Sequence, residues 1–245
     1  DHYLMQGEKR VTVEVALSPA EFGKYDLKGK TAVIIDVLRF TTTLLAALEA
    51  GMSEFYPVRT VEEALDLKKQ DPSLILQGER ELMAVPGFDY GNSPLCHVGK
   101  RYSGERLVCT TTNGTNAILA AREAEQVVLT SIRSAKAAAS YLMEQGDDLD
   151  LIIFPAGLHG RFSLEDTWCA GQLLSHLPVT EWGDGAKAAK ILFERMPIEE
   201  LRNGEDATIL KKLNSEQDLD YCLAPDTSTG VIIWDAQTGW GRLLD

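Results

Sequence analysis

Four short stretches carry side chains able to handle an anion or a divalent cation. The first is Asp36-Val37-Leu38-Arg39-Phe40-Thr41-Thr42-Thr43. Asp36 ends an apolar β-branched run and the threonines open a helical pattern, so the stretch reads as a strand-to-helix turn. In open α/β sheets, ligands bind beyond the carboxyl ends of the strands. Amides at a helix start favour an anion, and threonine hydroxyls add donors. Arg39 could fork onto a phosphate, carboxylate or sulfonate. Taken alone, the same residues describe an ordinary threonine cap beside a surface ion pair. The second stretch, Thr110-Thr111-Thr112-Asn113-Gly114-Thr115, repeats the plan. Asn-Gly tolerates left-handed backbone, which lets successive amides converge on an anion.

The third stretch joins Gly78-Glu79-Arg80 to Gly87-Phe88-Asp89-Tyr90-Gly91-Asn92-Ser93-Pro94. Carboxylates for a hard cation alternate there with donors for an anion, as a magnesium–phosphate site requires. The fourth is Gly157 to Asp166. Ser163 can cap a helix whose first turn holds Glu165 and Asp166, a placement that the helix dipole favours in any case. As a site, either acid could ligate a metal or move a proton. Several familiar chemistries are missing. There is no phosphate loop of the G-x-x-x-x-G-K-[ST] kind, no G-x-G-x-x-G and no G-x-S-x-G elbow. Cys109 precedes three threonines, but Thr115 stands where a cysteine phosphatase needs arginine. Asp36 lacks the second aspartate of a D-x-D phosphatase.

The elements that must hold these stretches alternate along the chain. Patterning predicts strands over Val11–Leu17, Thr31–Val37, Glu54–Val58, Leu74–Gln77, Arg106–Thr110, Gln126–Thr130, Leu149–Phe154 and Val231–Trp234. Helices are predicted over Thr41–Gly51, Thr60–Lys69, Asn116–Ala124, Ser134–Gln145 and Leu164–His176, with a charged helical region over 183–222. The run Gln77–Cys96 reads as a long functional loop. Such alternation predicts a three-layer α/β/α fold with a largely parallel or mixed sheet. Residues 1–245 read as one α/β domain, with a helical lobe over 178–225 that could cap the site or form a subunit interface. Residues 31–64 align without gaps on 105–138, an offset of 74 that pairs Thr41 with Thr115 and Arg59 with Arg133. An old duplication would put Asp36–Arg39 and Thr110–Asn113 in equivalent turns.

Composition narrows the partners. The chain has 24 basic and 37 acidic side chains and a net charge of −13. That disfavours nucleic acid and anionic membranes, both of which call for a positive field. No apolar run approaches the roughly 18 residues of a membrane span. Asp1–Arg10 lacks a secretory apolar stretch, and Cys96, Cys109, Cys169 and Cys222 fit neither a zinc ribbon nor a disulfide framework. A cytoplasmic location with free thiols is expected, in a protein that could form a homo-oligomer.

Taken in order, D-V-L-R-x-T-T-T, G-E-R, G-F-D-x-G-N-S-P, T-T-N-G-T and F-S-x-E-D resemble the 2-phosphosulfolactate phosphatase family. An Asp-Tyr-Cys at Asp220–Cys222 extends the likeness. The resemblance implies a magnesium-dependent acid phosphatase that converts 2-phosphosulfolactate to 3-sulfolactate in coenzyme M biosynthesis. It implicates Asp36, Arg39, Thr41, Thr42, Thr43, Glu79, Arg80, Asp89, Asn92, Ser93, Thr111, Thr112, Asn113, Gly114, Thr115, Glu165 and Asp166. Within that set, the expected magnesium ligands are Asp36, Glu79, Asp89 and Asp166. Asp36, Arg39 and Glu165 are the expected catalytic groups. Arg39, Arg80, Asn92, Ser93 and the threonine-rich turns are expected to grip the substrate. Phe40 stands where the family pattern has alanine, and Thr167 where it has a further acid. The alternatives are another small anionic phosphate ester as substrate, or a non-catalytic anion-binding protein on the same fold.

Overall fold

The structure, a computed structural model, describes residues 7–146 and 148–245. In chain order, β1 (Val11–Val15) and β2 (Thr31–Ile35) are followed by α1 (Phe40–Glu49), β3 (Glu54–Pro57) and α2 (Val61–Gln70). Next come β4 (Ile75–Arg80), β5 (Met83–Ala84), β6 (Arg106–Thr110), α3 (Gly114–Ala120), β7 (Gln126–Thr130), α4 (Ala135–Met143) and β8 (Leu149–Pro155). α5 (Leu164–Ser175), β9 (Glu181–Trp182), α6 (Asp184–Arg195), α7 (Glu205–Lys212) and α8 (Glu216–Cys222) lead to a closing hairpin of β10 (Ile232–Trp234) and β11 (Gly241–Leu243).

The central strands are apolar on both faces, and each face finds its own cover. Val33 and Ile35 of β2 pack with α4, α5, α6, α7 and α8. Ala32 and Ile34 pack with α1 and α3 on the other side. This is the expected three-layer arrangement. Strands β6 and β7 have the predicted bounds. Two differences concern short or polar segments. The loop expected from Gln77 starts as a strand, because β4 runs on through Arg80 and pairs back on β5. The strands β9 and β11 leave no readable period at two and three residues. Among the described residues, no helix is long and apolar enough to cross a membrane.

The sheet order is β5-β4-β6-β3-β11-β10-β7-β2-β8-β1-β9. β3, β6 and β4 run parallel, as do β7, β2 and β8. The antiparallel β10–β11 hairpin joins the two blocks. Outward from that hairpin, β3, β6 and β4 on one side match β7, β2 and β8 on the other. The first strand of each repeat is thus inserted between the later two strands of the other. The interleaving agrees with the internal sequence similarity, with one correction to its register. The helices start 74 residues apart (40 and 114, 61 and 135), but β2 and β6 start 75 apart. The second turn is one residue shorter.

Candidate active site

The two strand-end turns are shaped by their own hydroxyls. The Asp36 amide donates to Thr41 Oγ1 (3.0 Å), and Thr41 Oγ1 donates to the Asp36 carbonyl (2.8 Å). In the second turn, the Thr111 amide donates to Thr115 Oγ1 (3.2 Å), and the Thr115 amide donates to Thr111 Oγ1 (3.1 Å). Thr42 Oγ1 donates to the Val37 carbonyl (2.8 Å), and Thr43 Oγ1 to the carbonyls of Arg39 and Asn92. Thr41, Thr42, Thr43 and Thr115 have no exposed surface, and Thr111 is nearly as buried. The expectation that these five grip the substrate is therefore revised. Their hydroxyls are spent on folding the turns.

The turns meet at Gly114. A Cβ there would lie 2.1 Å from the Phe40 ring and 2.7 Å from Asp36 Oδ2. Only glycine lets the start of α3 pack this closely on the Asp36 carboxylate. Phe40 is the ring that closes this contact.

Asp36 is 6 % exposed and belongs to a set of buried acids with Glu79, Glu165, Asp166 and Asp206. Burial, then Glu79 and Glu165, push the Asp36 carboxyl up to about 7, against the Phe40 amide and Arg39. Burial, then Glu165 and Asp36, push Asp206 up to about 9. Burial, then Asp36 and Glu165, raise Asp166 well above the carboxylate range. Glu165 is also raised, chiefly by burial. The nearness of Asp206 and Glu165 favours the protonated form of the first and the charged form of the second. Asp206 Oδ1 is buried without a hydrogen-bond partner.

Two of these acids also tie the loops together. Glu79 Oε1 and Oε2 accept from the amides of Thr112 (2.7 Å) and Leu82 (2.8 Å). Asp166 accepts from Val37 (2.8 Å) and Gly157 (3.3 Å), and its own amide is capped by Ser163 Oγ (3.3 Å).

Two cations lie close by. Arg39 Nη1 donates to Asp218 Oδ2 (2.8 Å), and both side chains are buried. Ser93 Oγ donates to Asp218 Oδ1 (2.7 Å), so Ser93 steadies this ion pair. Arg39 Nε and Asn92 Oδ1 are buried without partners. Arg80 donates to the carbonyls of Glu79 (2.7 Å) and Arg59 (2.8 Å) and to Thr110 Oγ1 (2.7 Å). Asp89 lies elsewhere, which corrects its expected place among the metal ligands. It holds Lys68 (2.7 Å) and the Leu76 amide (2.8 Å), pinning α2 to β4, and its side chain is 39 % exposed.

Asp206 and Asp218 were missed by the motif reading. They come from the helical region whose role the sequence left open between cap and interface. Each occupies the buried stripe of its helix, Asp206 with Ala207 and Leu210, Asp218 with Leu219 and Cys222. An aspartate on an apolar stripe is the signal that could have found them. A cavity of about 290 Å³ opens onto Glu165 and Asp206, with Arg161, Phe162, Ser163 and Asn203 in its wall.

Among the described residues, no three His, Cys, Asp or Glu side chains are disposed to hold an ion unaided. Magnesium does not require that. It keeps several waters and binds through one or two carboxylates together with substrate phosphate. An all-oxygen donor set of mutually repelling buried acids fits that ion.

A family model described as 2-phosphosulpholactate phosphatase matches residues 16–237. The chain belongs to that family. Membership makes it a phosphatase, a hydrolase of phosphoric monoesters. Among similar proteins, one from Thermotoga petrophila, named a probable 2-phosphosulfolactate phosphatase, is 38 % identical over 217 residues, 87 % of this chain and 91 % of that protein. One of the same name from Clostridium perfringens is 36 % identical over 219 residues, covering 86 % and 88 %. A third, from Symbiobacterium thermophilum, is 37 % identical over 225 residues, covering 88 % and 94 %.

The geometry sets two expectations. Gly114→Ala must displace either the Phe40 ring or the Asp36 carboxylate. A shift near 1 Å at a reacting group costs about 100-fold in rate. Steady-state turnover checks this; activity within a factor of about two would show that the contact is slack. The second concerns pH. The raised values of Asp36 and Asp206 lie above the roughly 3.9 of an unfolded aspartate, so the folded state binds the extra protons. Stability is therefore highest below pH ~4 to 5 for this contribution and falls as pH rises towards 9. Urea midpoints in EDTA should drop between pH 5 and pH 8, with a shallower drop in Asp206→Asn. A midpoint that rises over that interval contradicts the reading.

Proposed function

We propose that the protein hydrolyses 2-phosphosulfolactate to 3-sulfolactate and phosphate with the help of magnesium. One observation carries this reading: Asp36 stands where the two turns meet, amid other buried acids and beside an arginine whose Nε lacks a partner. Such an arrangement is costly in a folded protein unless a cation and an anion complete it. The names of the relatives supply the substrate.

Asp36 and Glu79 would hold the ion. When bound, it would neutralise charge on the phosphoryl oxygens. Arg39 offers its free Nε–H to the phosphoryl group, and Asp218 and Ser93 keep its guanidinium in place. Phosphoryl transfer asks mainly for such positioning and charge stabilisation. Asp36 orients the attacking water. Asp206 keeps a proton against Glu165 at the cavity wall, where it can pass to the leaving oxygen as the ester bond breaks. The protein's net charge of −13 gives no long-range help to a substrate that bears phosphate, carboxylate and sulfonate, so local donors and the ion must supply the attraction.

The test is phosphate release by wild type and Asp36→Asn across a panel of esters, with magnesium and with EDTA. Wild type should release phosphate from 2-phosphosulfolactate only with magnesium. Asp36→Asn should be inactive while its unfolding midpoint is equal or higher, since a buried charge has been removed. Near-normal turnover in Asp36→Asn would take that residue out of the mechanism. Release from other esters alone would keep the chemistry and replace the substrate.

A further inference from the structure

Of five cavities on the described residues, four carry acidic side chains in their walls. The fifth, of about 360 Å³, holds Arg59, Asn113, Asn116 and Gly160, backed by Phe22 and Ala156, and has no acid. Arg59 is exposed. Its side chain makes no ion pair or hydrogen bond among the described residues, while its carbonyl is held by Arg80 Nη2. In a chain this acidic, an unpaired guanidinium facing a neutral cavity is a local attractor for an anion.

Three residues of the cavity wall connect to the acid cluster through their neighbours. Asn113 precedes Gly114, the residue packed on the Asp36 carboxylate. The Ala156 amide donates to the carbonyl of Ile35, which precedes Asp36 (2.8 Å). Gly160 belongs to the turn whose Gly157 amide is held by Asp166 (3.3 Å). These links place the cavity wall next to the turns that carry Asp36 and Asp166. The volume lies at the lower end of ligand pockets, as a small substrate requires.

We propose that this cavity holds the sulfonate arm of the substrate and that Arg59 selects for that second negative group. The assignment rests on the phosphatase reading above. Arg59 makes the ester's non-reacting end part of recognition, so a phosphate ester with a neutral end gains nothing from it.

The test uses Arg59→Gln and Arg59→Lys in the full chain, with 3-sulfolactate as a phosphate-free probe and isopropyl phosphate as a neutral ester. Losing a charged hydrogen bond should weaken 3-sulfolactate binding about tenfold or more in Arg59→Gln, measured by calorimetry. KM for 2-phosphosulfolactate should rise by a similar factor with kcat little changed, and Arg59→Lys should recover part of the loss. Any turnover of isopropyl phosphate should be the same in all three proteins. Equal affinity for 3-sulfolactate in wild type and Arg59→Gln overturns the proposal, as does an absence of binding to wild type. Wild type that releases phosphate from no ester defeats the hydrolase reading instead. In that case, loss of 3-sulfolactate binding in Arg59→Gln still supports the cavity's role.

Discussion

Burying several carboxylates against one another is the constraint that organises this molecule. Water would solvate each acid freely, whereas inside the fold each one raises the cost of ionising the next. Asp36, Glu79, Glu165, Asp166 and Asp206 are nevertheless drawn together from both halves of the chain. The fold tolerates them in two ways. Main-chain amides of Val37, Gly157, Leu82 and Thr112 satisfy Asp166 and Glu79. Burial and the neighbouring Glu165 and Asp36 favour the protonated form of Asp206. Asp36 gains less: the Phe40 amide and Arg39 favour its charged form, but burial, Glu79 and Glu165 outweigh them.

The interleaved topology explains how so much acid reaches one place. Each repeat lends its first strand to the other, so the turn after β2 and the turn after β6 belong to different halves of the sheet. They still close on each other through Gly114, Phe40 and Asp36. The equivalent threonines, Thr41 and Thr115, perform the same internal cross-link in each turn. Only the first turn kept a carboxylate; the second carries Thr111 at that place. The helical segment from α6 to α8 adds Asp206 and Asp218, so it takes part in the site as well as covering the sheet.

Much of the fold was legible because buried parallel strands are continuous apolar runs. β2, β6, β7 and β8 announce themselves in that way, and the repeat in sequence anticipates the repeat in topology. The short strands β9 and β11 carry too few residues to show a period. At the site, Asp36, Glu165 and Asp166 stood out because each follows a strand or opens a helix, and Glu79 because it sits in a segment that mixes acids with anion donors. Asp89 stood in the same kind of motif, yet its local partners, Lys68 and the Leu76 amide, claim it for packing. The threonines looked like ligand donors because a hydroxyl that folds a turn and one that binds an anion have the same sequence signature. Asp206 and Asp218 lie far along the chain in a helical pattern rich in charge. Their burial is a tertiary outcome, visible locally only as acids on apolar stripes.

The most direct measurement is calorimetric titration of magnesium into the protein at pH 7, in two buffers with different ionisation enthalpies. If the buried acids hold protons until a cation arrives, binding must release protons, and the apparent heat must differ between the buffers. Asp36→Asn should abolish both the binding and the difference. Magnesium binding that releases no proton, or that persists unchanged in Asp36→Asn, would contradict the central role given to this cluster.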